Sequence, residues 1–201
     1  MLISTVILGW TGVLLFFIIA VSFQKMSKNN EFALMHFLMA LMYALWLPLP
    51  LALNESLNSE YLQIGSIFGV AYLLMLVIAM ILQTGHITYI VKNNDDKAIT
   101  DKHGEHMMTT LSNPFEGLVN VFKSIWALFL GIAYWNNDEM LMANVMFVFS
   151  LLGLYYLFII LDTILVTRVK LFSKMKPNPY VTNLETLLFF IILMSYISFN
   201  S

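Results

Sequence analysis

Residues 61–91 read YLQIGSIFGVAYLLMLVIAMILQTGHITYIV, a run with no Asp, Glu, Lys or Arg. A helix rising about 1.5 Å per residue crosses the roughly 30 Å of bilayer hydrocarbon with about 20 apolar residues. A run near 30 residues gives about 45 Å of helix, so this segment must tilt or project beyond the bilayer. Working outward, five more apolar runs repeat the pattern, which places spans at about 2–23, 32–53, 61–91, 114–135, 140–169 and 180–199. The fifth run also approaches 30 residues and carries the same expectation of tilt or projection.

Composition agrees. The 201 residues are 60% hydrophobic and 11% charged, whereas a soluble domain carries about 45–50% and about 25%, so a water-soluble globular fold is excluded. Net charge −2 and a pI near 6.0 give no basic footprint for nucleic acid. With no cysteine, disulfides, thiolate metal sites, iron–sulfur clusters and a Cys nucleophile are all ruled out. No Gly/Ser- or Pro-rich linker divides the chain, so 1–201 reads as a single all-α, six-helix transmembrane domain, a polytopic integral membrane protein. The segment 2–20 lacks a positive n-region and is long enough to span, which identifies it as a retained first helix rather than a cleaved signal peptide.

The basic residues set an orientation. Lys25 and Lys28 fall in the first loop, Lys92, Lys97 and Lys102 in the third, and Arg168, Lys170, Lys174 and Lys176 in the fifth, with Lys123 near the third-loop end of helix four. The other loops and both termini have none. Because cytoplasmic loops carry the Lys/Arg excess, loops one, three and five are expected inside and both termini outside. The outer connections 54–60 and 136–139 are tight, and only the cytoplasmic loop 92–113 has room for structure of its own. Small size and short outer loops point to a plasma (inner) membrane.

Ionisable groups at membrane depth are costly and therefore functional candidates. His36, His86 and Asp162 each lie five or six residues from a charged inner-edge residue, Glu31, Lys92 and Arg168, so they share a layer about 8–9 Å in from the cytoplasmic side. Lys123 enters from the same side, and Glu116 and Glu185 begin helices four and six. Plainer readings exist. Glu116 stands three after Asn113 and Glu185 three after Thr182, as in a capping box, and Lys123 can snorkel its ammonium to the interface. Asp162 faces the unfavourable end of its helix dipole and so calls for a cation, a metal or a proton, with Lys123 or a histidine as partner and Tyr155 extending its face outward.

His36 and His86, on antiparallel neighbours at matched depth, suit axial ligation of a haem b or a transition-metal site completed by Asp162. Asp101 with His103, Glu105 and His106 is a second, weaker metal candidate in the third loop. Fourteen methionines, among them Met35, Met39 and Met42 beside His36, invite copper chemistry but read mainly as packing. Gly65 and Gly69 make a small-xxx-small face for an internal contact or a partner subunit. Trp10, Trp46, Trp126 and Trp135 read as interface anchors.

No hydrolase elbow, zinc-protease motif, P-loop or dinucleotide fingerprint is present, so an enzyme is the less favoured class. The leading reading is a bundle with a cytoplasm-facing polar pocket lined by His36, His86, Asp162, Lys123 and Glu185 that binds or translocates a small ion or solute. The alternatives are a haem- or metal-binding subunit of a membrane oxidoreductase, and an accessory or protective subunit without ligand. Helices broken by paired Gly or Pro, frequent in transporters, are not expected, because the prolines fall near helix ends.

Overall fold

The computed structural model describes residues 1–93, 97–107, 109–110, 113–167, 169 and 178–200, with 97–101, 113 and 179 described by backbone alone. Arg168, Lys170, Lys174 and Lys176 of the fifth loop lie outside the described residues. Eight helices are described: α1 (Leu2–Lys28), α2 (Phe32–Trp46), α3 (Leu49–Leu57), α4 (Glu60–Asn93), α5 (Lys97–Met107), α6 (Asn113–Asn136), α7 (Met140–Ile164) and α8 (Pro179–Phe199). They form six stretches long and apolar enough to cross a membrane, α2 and α3 sharing the second. The outside is correspondingly greasy: Val21 and Leu141 keep 85% and 78% of their surface exposed, an arrangement suited to lipid and not to water. The chain is a multi-pass integral membrane protein built as an all-α bundle.

Two spans differ from expectation. The second is broken, because Pro48 and Pro50 have no N–H to donate and their rings crowd the preceding turn. The Leu47 amide instead reaches the Ala44 carbonyl, tightening the last turn of α2, and helix resumes at Leu49. The fifth span ends at Ile164, where Leu165 turns extended, although apolar residues continue beyond it. The long α4, at 34 residues, keeps the expected excess over a bilayer's thickness.

The connections after α3 and α6 are as tight as the sequence demands. Asn58 and Asp138 adopt the left-handed conformation (φ 44° and 61°), which Asn and Asp tolerate better than other non-glycine residues. Asn137 Nδ2 donates to the carbonyls of Ala133 and Leu57, tying these two connections together.

Helix contacts run α7–α6–α4–α2–α1 as an arc, with α8 packed on α1. Large side chains of α8 fill the concave side. Phe190 stacks on Trp46 at 3.8 Å, and Phe189 meets Trp126 and Phe149 edge-on at 5.3 and 5.1 Å. Trp46 and Trp126 are therefore core residues, not interface anchors, whereas Trp10 and Trp135 remain substantially exposed. The indoles fit because glycines face them. A Cβ on Gly12 would lie 2.5 Å from Trp46 Nε1, and one on Gly69 would lie 2.7 Å from the Trp126 ring. A Cβ on Gly65 would likewise strike Phe129, so the Gly65/Gly69 stripe serves contact with α6 inside the chain. Of its two expected uses, the internal one is realised.

Candidate functional site

Lys123 of α6 and Glu185 of α8 form a buried ion pair, their side chains 2% and 10% exposed. Lys123 Nζ also donates to Thr186 Oγ1 at 3.1 Å, and Tyr156 of α7 donates its hydroxyl to Glu185 Oε2 at 3.2 Å. The ammonium lies 5.7 and 5.6 Å from the ring centroids of Tyr72 and Tyr156, within cation–π range. One cluster thus joins α4, α6, α7 and α8. Glu185 Oε1 is buried without a hydrogen-bond partner among the described residues.

This geometry corrects two plainer readings. Lys123 does not snorkel, because its ammonium is held inside the bundle. Nor does Glu185 belong to a capping box with Thr182. Helix α8 begins at Pro179, and the Asn178 side chain caps it by accepting from the amides of Tyr180 and Val181 at 3.0 and 3.4 Å. Glu185 is left nearly two turns inside the helix, free to face α6. Glu116 accepts a hydrogen bond from Gln83 Nε2 of α4 at 3.1 Å; the Asn113 side chain of its expected cap lies outside the described residues.

In front of this pair lies a cavity of about 570 Å³, within the roughly 300–1,000 Å³ usual for small-molecule sites. Its wall comes from the second half of α1, from α2 between Met35 and Tyr43, from α4 between Tyr72 and Gln83, and from the first turns of α6 and α8. The cavity thus runs from the middle of the bundle toward the end from which the lysine-bearing loops leave. Phe16, Ile19 and Phe23 supply apolar surface from α1, and Met35, Met39, Met42 and Met80 supply thioethers from α2 and α4. Polar groups are as numerous: His36, Tyr43, Tyr72, Gln83, Glu116, Asn120, Tyr180, Thr182, Asn183 and Thr186. Tyr72 and Thr186 belong to both the cavity wall and the Lys123–Glu185 cluster, so the two are contiguous.

Local bonding fixes how these polar groups present themselves. His36 Nδ1 lies 2.7 Å from the Phe32 carbonyl of its own helix. A carbonyl only accepts, so Nδ1 carries the proton, and in the neutral ring Nε2 is left as an acceptor. Asn120 Nδ2 donates to the Glu116 carbonyl at 2.8 Å, and the Thr182 hydroxyl donates to the Asn178 carbonyl at 3.2 Å.

Of the five residues expected to share a pocket, His36 lines the cavity, and Lys123 and Glu185 stand directly behind its wall. His86 and Asp162 do not line it. His86 points its Nε2 toward the His103 carbonyl of α5, at 3.5 Å. Asp162 sits two residues from the end of α7, partly exposed, on a helix that packs mainly on α6. The three-residue metal set of His36, His86 and Asp162 is thus not gathered at one place among the described residues, since equal depth does not mean a common facing direction. Among the described residues no three His, Asp or Glu side chains gather to hold a metal ion, the third-loop candidates His103, Glu105 and His106 included. On α7 it is Tyr156, not Tyr155, that reaches the buried pair. The methionines do pack as read: Met42 and Met80 are buried in the core and Met35 and Met39 lie against it, and the four also line one side of the cavity.

No known protein family, curated protein or solved structure matches the chain.

Proposed function

We propose that this protein binds a small amphiphilic ion or solute in the cavity between α1, α2, α4, α6 and α8, entered from the cytoplasmic side of a plasma membrane. The single observation that carries the reading is the cavity itself. It is of ligand size, and its wall combines apolar, aromatic and thioether surface with polar groups from α2, α4, α6 and α8, a make-up that suits a small-molecule site. Its position at the lysine-bearing end supports cytoplasmic access through the positive-inside rule. The Lys123–Glu185 cluster shares Tyr72 and Thr186 with the wall, so a bound solute and the buried charges act on common side chains. This contiguity suits a site whose occupancy is felt by α6, α7 and α8, as translocation requires.

Filling the space tests the proposal. Leu76 and Ile19 line the cavity and are buried, so Leu76→Trp and Ile19→Trp project bulk into it. Protein reconstituted in lipid nanodiscs is extracted with organic solvent, and the extract is weighed by mass spectrometry. The expected result is a low-mass compound that accompanies the parent protein and is depleted from both variants at equal insertion. Identical extracts from all three would contradict it.

A further inference from the structure

Resting on the reading of the cavity as a binding site, we propose that its ligand is a single-chain membrane amphiphile. It enters sideways from the leaflet at the lysine-bearing end, between α1 and α8, and lies with its chain inside and its polar head at the mouth.

The seam between α1 and α8 carries the route. Gly9, Phe16, Ala20 and Phe23 follow one another at steps of seven, four and three residues and so share a face of α1; Met194, Phe190, Leu187, Asn183 and Tyr180 share a face of α8 in the same way. Away from the lysine-bearing end the two faces touch. A Cβ on Gly9 would strike Met194, and Trp10 Nε1 donates to Ser198 Oγ at 3.0 Å. Toward the lysine-bearing end the same faces stand on either side of the cavity, with Phe16, Ala20 and Phe23 lining it from α1 and Tyr180 and Asn183 from α8. Ala20, Phe23, Tyr180 and Asn183 line the cavity and are themselves exposed, Tyr180 over 75% of its surface. A seam closed at one end thus stands open at the other.

What flanks this mouth suits lipid. Leu14, Ile18 and Val21 of α1 and Val181, Leu184 and Leu188 of α8 are exposed apolar side chains on the faces beside it. Phe23 stands two residues before Lys25, which puts the lip at headgroup depth, where an exposed tyrosine such as Tyr180 is at home. A molecule already dissolved in that leaflet slides in without its chain leaving apolar surroundings, whereas a polar solute coming the same way has to cross hydrocarbon.

Inside, polarity falls with depth. His36, Gln83, Glu116, Thr182 and Asn183 ring the end nearer the lysine-bearing loops. Tyr43, Phe16 and Tyr72 lie seven, seven and eleven residues deeper than His36, Phe23 and Gln83 on their helices, or about 10–16 Å. The deep wall is Phe16, Met42 and Leu76 with Tyr43 and Tyr72. The Tyr72 hydroxyl is itself buried, so that residue shows the cavity its ring, and the Thr186 hydroxyl is held by Lys123. Such a gradient fits a head at the mouth and a chain within. Methionine thioethers adapt to a flexible chain, and about 570 Å³ suits one chain better than the two of a bilayer phospholipid.

Two monoacylglycerols test this, identical except that a photoreactive diazirine sits at the chain end in one and beside the ester in the other. Each is mixed with the full chain in lipid nanodiscs and illuminated, and its adducts are located by peptide mass spectrometry, with and without excess unlabelled monoacylglycerol. The chain-end probe is expected to mark Phe16, Met42 and Leu76 and the ester-end probe Phe23 and Tyr180, with both sets removed by the excess. Leu76→Trp depletes the deep adducts by about tenfold or more, because the indole takes the space of the chain. Ala20→Trp and Asn183→Trp, on opposite lips and with size-exclusion profiles equal to the parent's, delay the deep adducts when illumination follows mixing at increasing intervals. Interior adducts that the excess leaves in place, or adducts confined to Leu14, Ile18 and Val21, overturn the amphiphile. If Leu76→Trp and Ile19→Trp still deplete the extracted compound in that case, the cavity stands as a binding site for a water-soluble solute. Chain-end adducts at the mouth with ester-end adducts at depth overturn the orientation, and deep adducts that neither lip variant delays overturn the route. Absence of interior adducts, with extracts of parent and filled variants identical, overturns both the amphiphile and the binding site.

Discussion

Removing the Lys123 ammonium is the sharpest test of how the bundle is held. In Lys123→Met a flexible apolar chain of similar length replaces the lysine and leaves Glu185, 10% exposed, with Tyr156 as its remaining partner. Two unit charges about 4 Å apart attract by about 4 kcal/mol at an effective dielectric of about 20. Removing one member of a buried pair costs about 3–5 kcal/mol, because the survivor is stranded in a low dielectric. A neutral interhelical hydrogen bond in a membrane is worth only about 0.6 kcal/mol on average, so the stranded charge dominates the loss of the Thr186 contact. Lys123→Met is therefore expected to destabilise the fold by about 3–5 kcal/mol. Lys123→Met combined with Glu185→Leu removes both charges and is expected to return to within about 2 kcal/mol of the parent. The assay is reversible unfolding in mixed micelles against increasing dodecyl sulfate, followed by tryptophan fluorescence, for the parent, both single variants and the double. A double variant as unstable as the two singles summed, or singles each within about 1 kcal/mol of the parent, would refute the coupling.

Gly69→Leu is expected to abolish or severely weaken folding, since even a Cβ would lie 2.7 Å from the buried Trp126 ring; Gly85→Ala, with nothing within 4 Å, is expected to stay within about 1 kcal/mol of the parent in the same micelle assay. Trp46→Phe keeps an aromatic ring for Phe190 to stack on but loses the 3.0 Å bond from Nε1 to the Gly9 carbonyl, so a loss of about 1–2 kcal/mol is expected from the unfolding midpoint. Asp162→Asn, partly exposed near the end of α7 and away from the cavity, is expected to keep stability within about 0.5 kcal/mol of the parent and to leave the extracted low-mass compound at the parent level; depletion of that compound would return Asp162 to the site.

The spans were legible because apolar length is a local property, readable without knowing any neighbour. The tight hairpins at 54–60 and 136–139 followed from the brevity of those polar breaks. Two boundaries misled for opposite reasons. Pro48 and Pro50 break the second span inside an apolar run, whereas Leu165, Val166 and Val169 carry apolarity past the end of α7. Depth could also be read, since residues counted from an inner edge give height. Azimuth could not, and that separates His36, which faces the cavity, from His86 and Asp162, which do not. The Lys123–Glu185 pair joins residues 62 apart, beyond any helical spacing rule, so the sequence offered each side chain singly. The complement of Gly12 with Trp46 and Gly69 with Trp126 was hidden similarly, although an indole on one span and a glycine on another are the visible halves of such a fit.

The central claim is an intramembrane cavity reached from the lysine-bearing side that takes up a small ion or solute. Because the chain has no cysteine, Met39→Cys places a single thiol on the cavity wall. Reaction with a membrane-impermeant thiol reagent is then compared in right-side-out and inside-out vesicles, for Met39→Cys alone and combined with the cavity-filling Leu76→Trp. Labelling from the cytoplasmic face alone, slowed by Leu76→Trp, is the predicted result. Labelling from the outer face, or a rate that Leu76→Trp leaves unchanged, would contradict it.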